Sequence, residues 1–243
     1  MWAFETQVAV VTGASSGIGR AIALQLAKEG AFLCLVGRKM ETLEAVANIA
    51  ANEIVKIRSY PTDLSNRGDI ERLIQSISKD FDRVDLLIHS AGDISWGPIE
   101  TMPFEDLERQ FRVNVYAPYL LTQGLLSKLR TSQGQVVFIN SSSGIANGKA
   151  YMSGYAASKH SLKAIADSLR NEVNSEGVRV LSVFPGRTAS PMQATFQKFE
   201  GREYKPELLL QPEDVAMAII AAIRLPRTAE VTDLQIRPFI KSY

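Results

Sequence analysis

The chain alternates between short, unbroken apolar runs and longer segments whose apolar residues recur every three or four positions. Val8-Ala9-Val10-Val11, within residues 7–12, reads as a buried strand. Residues 18–29 follow as a helix, with Ile18, Ile22, Leu26 and Ala27 at helical spacing. The same alternation continues, with strands over 32–36, 55–59, 85–89, 135–141 and 178–184, and a seventh candidate over 230–236. Helices are predicted over 40–52, 67–80, 104–129, 154–176 and 212–224. The 67–80 helix sets Ile70, Leu73, Ile74 and Ile77 on one face, and the 104–129 helix should bend near Pro118. Strands this uniformly apolar are buried on both faces, which predicts a mostly parallel sheet covered by helices on each side. Right-handed crossovers then give a doubly wound α/β fold.

The sequence has no internal repeat, low-complexity tract or Gly/Ser linker, and its 243 residues are expected to form a single domain. Net charge is +1 and the basic residues are scattered, so no nucleic-acid or anionic-membrane partner is expected. Met1–Gln7 lacks the pattern of a secretory signal, and no window approaches a membrane span, so a soluble cytoplasmic protein is expected. The one cysteine, Cys34, lies in the apolar run Phe32-Leu-Cys-Leu-Val36 and reads either as a buried small hydrophobe or as a reactive thiol.

In such folds ligands bind beyond the carboxyl ends of the strands, and the polar motifs here lie just after strands. Thr12-Gly13-Ala14-Ser15-Ser16-Gly17-Ile18-Gly19 joins the first strand to the first helix. Gly13 can make the tight turn, Gly17 and Gly19 allow close backbone approach, and the helix N-terminus attracts a pyrophosphate. After the second strand, Val36-Gly37-Arg38-Lys39 offers no carboxylate for a ribose 2′-hydroxyl, whereas Arg38 can clamp a 2′-phosphate. Tyr155-Ala-Ala-Ser-Lys159 puts a phenol and an ammonium on one face of a helix, a pairing suited to proton transfer at a carbonyl oxygen. Asn114, amid apolar residues of the 104–129 helix, needs partners if buried.

The glycine spacing together with Tyr155 and Lys159 resembles the short-chain dehydrogenase/reductase family, and the resemblance runs from about Gln7 to Met192. It implies a Rossmann-like fold, NADP(H) as cofactor, no catalytic metal, and hydride transfer to or from a small-molecule carbonyl or alcohol. It implies a catalytic group of Asn114, Ser142, Tyr155 and Lys159. Ser142 stands at the family's serine-to-tyrosine spacing, thirteen residues before Tyr155, with Ser141 and Ser143 as adjacent alternatives. Lys159 would lower the Tyr155 pKa and hold the nicotinamide ribose, and Asn114 would hold a water against Lys159. For the cofactor it implies Gly13, Ser15, Ser16, Gly17, Ile18 and Gly19 at the phosphates, Arg38 at the 2′-phosphate, and Asp63 with Leu64 at adenine. Asp63 could instead cap the following helix.

Ala91 and Gly92 match the family stretch beside the ribose, whereas His89 and Ser90 depart from its usual Asn-Asn, and His89 reads as structural. Pro185, Gly186 and Thr188 are implied at the nicotinamide, with Ser190 in place of the family threonine; Arg187 could face substrate or solvent. Residues 193–210 are expected to form a lid whose Phe196, Phe199, Tyr204 and Leu208–Leu210 make either an apolar underside or ordinary packing, and Trp96, Pro98, Tyr151 and Met152 flank the same region. The long helices 104–129 and 154–176 carry more apolar residues than one buried face needs, and their family counterparts pair between subunits, implying a homodimer or tetramer. The competing reading is a non-catalytic NADP(H) sensor or scaffold on the same fold.

Overall fold

A computed structural model describes residues 3–51, 56–146 and 148–240. The strands are β1 (Val8–Thr12), β2 (Phe32–Gly37), β3 (Ile57–Pro61), β4 (Leu86–His89), β5 (Gln135–Ile139), β6 (Arg179–Pro185) and β7 (Asp233–Ile236). They form one sheet in the order β3-β2-β1-β4-β5-β6-β7, and every pairing is parallel. The helices are α1 (Gly17–Lys28), α2 (Met40–Ala50), α3 (Arg67–Asp80), α4 (Phe104–Phe111), α5 (Ala117–Ser132), α6 (Ser153–Val173), α7 (Pro191–Phe199) and α8 (Pro212–Ile223). The anticipated ends of helix 40–52 and strand 55–59 touch positions 52 and 55, which lie outside the described residues.

Because side chains alternate across a strand, the sheet feeds two cores. Ala9, Val11, Leu33, Leu35 and Ile88 pack on one side beneath α1, α2 and α8. Val8, Val10, Cys34, Val36 and Leu87 pack on the other beneath α3, α5 and α6. Burial pushes the Cys34 thiol up to about 12, so this cysteine is a small hydrophobe and not a reactive thiol. Among the described residues no helix is long and apolar enough to cross a membrane.

The predicted 104–129 helix is three pieces. Between α4 and α5 the backbone makes a π-helical turn, Arg112–Tyr116, closed by the Ala117 N–H on the Arg112 carbonyl. Residue 118 would ordinarily donate to the Asn114 carbonyl, and Pro118 has no N–H to give. The irregularity anticipated at Pro118 therefore appears one turn earlier, around Asn114.

Strand order reverses between β1 and β4, and the crevice opens there. Thr12 fixes its floor: its hydroxyl donates to the Ile88 carbonyl at 3.3 Å and accepts from the Ser90 and Ala91 N–H groups at 3.0 and 3.1 Å.

Candidate active site

A cleft of about 470 Å³ runs along the carboxyl ends of the strands. At one end lies the turn from β1 into α1. Gly13 has φ +66° and Gly17 φ +52°, conformations that disfavour a side chain. A Cβ on Gly13 would come within 2.8 Å of Ala91, and one on Gly19 would collide with the Gly13 carbonyl oxygen. Helix α1 begins after Ser16 with no side-chain cap and no acidic residue in its first turn. Its first N–H groups thus meet the cleft unopposed, the electrostatics an anion requires. Ser15, Ser16 and Ile18 line the same stretch.

Arg38, Asp63 and Leu64 also line the cleft, so the loops after β1, β2 and β3 converge on it. Arg38 is exposed on the rim. Asp63 does not cap α3; Asn66 does, accepting from the Asp69 N–H at 3.1 Å. Asp63 Oδ1 instead takes the Ser65 N–H and hydroxyl at 2.9 and 2.8 Å, an Asx turn that shapes its own loop.

At the cleft's centre, Tyr155 and Lys159 are buried side by side on the first turns of α6, with the ammonium 5.8 Å from the phenol ring centre. Lys159 Nζ donates to the Ile139 carbonyl at 3.0 Å, and burial lowers its pKa to about 8. Burial raises the Tyr155 pKa, opposed by a hydrogen bond with Ser141. This corrects one expectation. The serine beside the phenol is Ser141, whereas Ser142 is exposed and begins a 3₁₀ turn, Ser142–Gly144.

Asn114 is fully buried, and the π turn aims its amide across to the next loop. Its Oδ1 accepts from the Asp93 N–H at 2.8 Å, and its Nδ2 donates to the Asp93 carbonyl at 2.8 Å and to Ser158 Oγ at 3.0 Å. The side chain thereby clamps the Gly92–Asp93 backbone beside Lys159. Ser158 in turn donates to the Tyr155 carbonyl at 2.8 Å. Sequence reasoning passed over Ser158, Asp93 and Thr12. Only Thr12, a lone hydroxyl ending an apolar strand, gave any local signal.

His89 is structural. It is buried, 2.8 Å from Thr122 Oγ1 through Nε2 and stacked on Phe138 at 4.9 Å, and burial lowers its pKa to about 3. Beyond β6, the Gly186 N–H donates to the Ile236 carbonyl at 2.7 Å, and Thr188 is buried, its hydroxyl on the Gly186 carbonyl at 3.1 Å. Ser190 caps α7, accepting from the Gln193 N–H at 3.2 Å. Helix α7 overhangs the cleft. Its Phe196 and Phe199 meet Trp96 at 5.4 and 5.3 Å, and Tyr151 meets Phe199 at 6.4 Å. Tyr204 and Leu208 face outward, and Leu210 joins the main core, so only part of the anticipated lid faces the cleft.

The sequence profile described as short chain dehydrogenase matches residues 7–201. The chain belongs to the short-chain dehydrogenase family. Within it, an uncharacterized oxidoreductase of Staphylococcus aureus strain USA300 is 33% identical over 233 residues, covering 96% of this chain and 97% of its own. The alcohol dehydrogenase of the archaeon Thermococcus sibiricus, solved with 5-hydroxy-NADP, superposes with a TM-score of 0.88 at 26% identity, covering 98% of this chain and 99% of its own. A metagenomic short-chain oxidoreductase in complex with NADP superposes with a TM-score of 0.83 at 29% identity, covering 98% of this chain and all, 100%, of its own. For this short-chain dehydrogenase chain, the parallel seven-stranded sheet and its crevice are therefore those of its family.

Proposed function

We propose that this protein is an NADP(H)-dependent oxidoreductase acting on a carbonyl or secondary alcohol. The observation that carries the reading is one cleft holding the buried Tyr155 and Lys159 with Ser141 beside them, and the uncapped α1 terminus and Arg38 at its far end. NADP complexes of the similar alcohol dehydrogenase and metagenomic oxidoreductase support the choice of cofactor. Residues 13–19 would hold the pyrophosphate, Arg38 the 2′-phosphate, Asp63 and Leu64 the adenine, and Ala91, Gly92, Pro185, Gly186 and Thr188 the ribose and nicotinamide. The bound cofactor supplies or accepts the hydride.

The protein's own part is proton delivery and orientation. A dry phenol with a raised pKa is protonated at neutral pH, so Tyr155 Oη acts as the acid toward a substrate carbonyl oxygen. The Ser141 hydroxyl steadies the same oxygen as charge develops on it. Lys159 keeps a cation beside the phenol and the ribose site, and Asn114 positions the Gly92–Asp93 backbone next to it. The family's pairing of long helices, together with the exposed Tyr116 of the π turn and Tyr119 of α5, supports a two-fold homo-oligomer.

Titration with NADPH and with NADH, followed by cofactor fluorescence, tests this reading. NADPH should bind at least ~10-fold tighter, and Arg38→Leu should erase that margin. Equal affinities would overturn the assignment of Arg38. Binding of neither would move the protein to the scaffold reading.

A further inference from the structure

The inner side of α7 carries polar groups that the proton transfer above does not use. Gln193, Gln197 and Glu200 fall on one face at i, i+4 and i+7. Arg187, two residues beyond the end of β6, lies against that face. Its Nη2 donates to Glu200 Oε1 at 2.7 Å, and its guanidinium carbon stands 5.7 Å from the Phe196 ring centre. The two charged side chains are only 20% and 22% exposed. Even so, Arg187 Nη1 and Gln193 Nε2 are buried with no hydrogen-bond partner among the described residues. A buried donor left unpaired destabilises the fold, so its retention points to a ligand that pairs with it.

Both residues line the cleft that holds Tyr155, and the atom each leaves unpaired, buried behind that lining, is a donor. The unpaired acceptors nearby, Gln197 Oε1 and Glu200 Oε2, belong to residues outside the lining. Two N–H donors, one of them cationic, favour an anionic acceptor, and an ionised carboxylate meets both with its two oxygens. The charge of the cleft agrees: five cationic side chains line it against the carboxylates of Asp63 and Asp93. Glu200 occupies one edge of the guanidinium and leaves Nη1 for the ligand.

Resting on the reading that Tyr155 protonates a carbonyl oxygen, we propose that Arg187, assisted by Gln193, binds a carboxylate of the substrate. The substrate class is then an oxo acid and its hydroxy acid. The oxo carbon gains a hydride from NADPH and its oxygen a proton from Tyr155, while the carboxylate takes no part in the bond changes.

The test compares matched probes with NADPH: 4-oxopentanoate, 5-oxohexanoate and benzoylformate, each against its methyl ester. The acids should be reduced with kcat/KM ~10- to 100-fold above the esters, mainly through KM. Arg187→Met should narrow that ratio at least ~10-fold. Should that variant fail to fold by circular dichroism, Arg187→Lys, which keeps the charge but loses the planar fork, should narrow it partway. Glu200→Gln, which removes the competing carboxylate, should lower the KM of the acids. Esters reduced as well as or better than acids overturn the inference and leave the oxidoreductase reading standing. A rise in the NADPH dissociation constant matching the loss on acids assigns Arg187 to the cofactor and also overturns it. Reduction of neither class by protein that binds NADPH overturns the reading and the inference together.

Discussion

Ser141 and Ser142 carry the same side chain on adjacent residues, yet only one of them meets Tyr155. Counting back thirteen residues from Tyr155 selects Ser142, because a count assumes a fixed loop between serine and tyrosine. The geometry is set locally instead. Ser141 is extended, with φ −162° and ψ 154°, and still follows the direction of β5, whereas Ser142 has already turned into the 3₁₀ segment and out to solvent. Tyr155, Lys159 and the glycine turn were legible because each motif lies within one element and its neighbouring turn. Ser141 was not, because facing depends on where a strand ends. Ser141→Ala should lower kcat/KM by ~10²-fold, as loss of one donor to a developing oxyanion does. Ser142→Ala should leave it within about two- to threefold, a surface substitution's usual range. Tyr155→Phe should reduce turnover to background while NADPH still binds. Steady-state kinetics on any reduced carbonyl decides among them, and retained turnover in Tyr155→Phe removes it from the proton-transfer role.

At the scale of elements, the alternation of apolar runs foretold the strands and a sheet covered on both faces, because burial on both faces of the central parallel strands writes itself into composition. The π turn at Arg112–Tyr116 was not legible as such: Pro118 signals an irregular helix, but the amide bonds from Asn114 to Asp93 that fix its position are tertiary. His89 joins three elements, sitting on β4 against Thr122 of α5 and Phe138 of β5. Its folded pKa of about 3 lies below the ordinary 6.5, so between those values the unfolded chain binds a proton that the native state refuses. Stability from this residue is whole above pH 6.5 and is lost as pH falls toward 3. Between pH 7 and pH 5 the loss is about 2 kcal/mol. Urea midpoints at the two pH values should therefore fall more in the native chain than in His89→Asn. Equal slopes would mean that His89 takes up its proton within the fold.

Over the whole molecule, a second feature lies behind the catalytic cleft. A groove of about 720 Å³ opens between the start of α3, the π turn with α5, and α6. Leu64, Val115, Tyr116, Tyr119, Leu120 and Ile165 line it. Tyr116 and Tyr119 remain 54% and 52% exposed there, although aromatic side chains gain most when buried against a matching surface. The groove lies on the two long helices whose apolar excess one buried face does not absorb, and a surface that is its own complement closes by a two-fold axis. A stable interface buries about 800 Å² on each partner, so the contact would have to extend beyond the groove over the flanking helices. Leu64 also lines the cleft, and Val115 neighbours Asn114, so the interface would brace the active site from behind. Light scattering should then give two or four times the 26.7 kDa chain mass. Tyr119→Glu, which sets a carboxylate in the apolar groove, should halve the assembly and weaken NADPH binding. A native monomer would refute the assembly, and a Tyr119→Glu protein of unchanged mass would move the interface to another face.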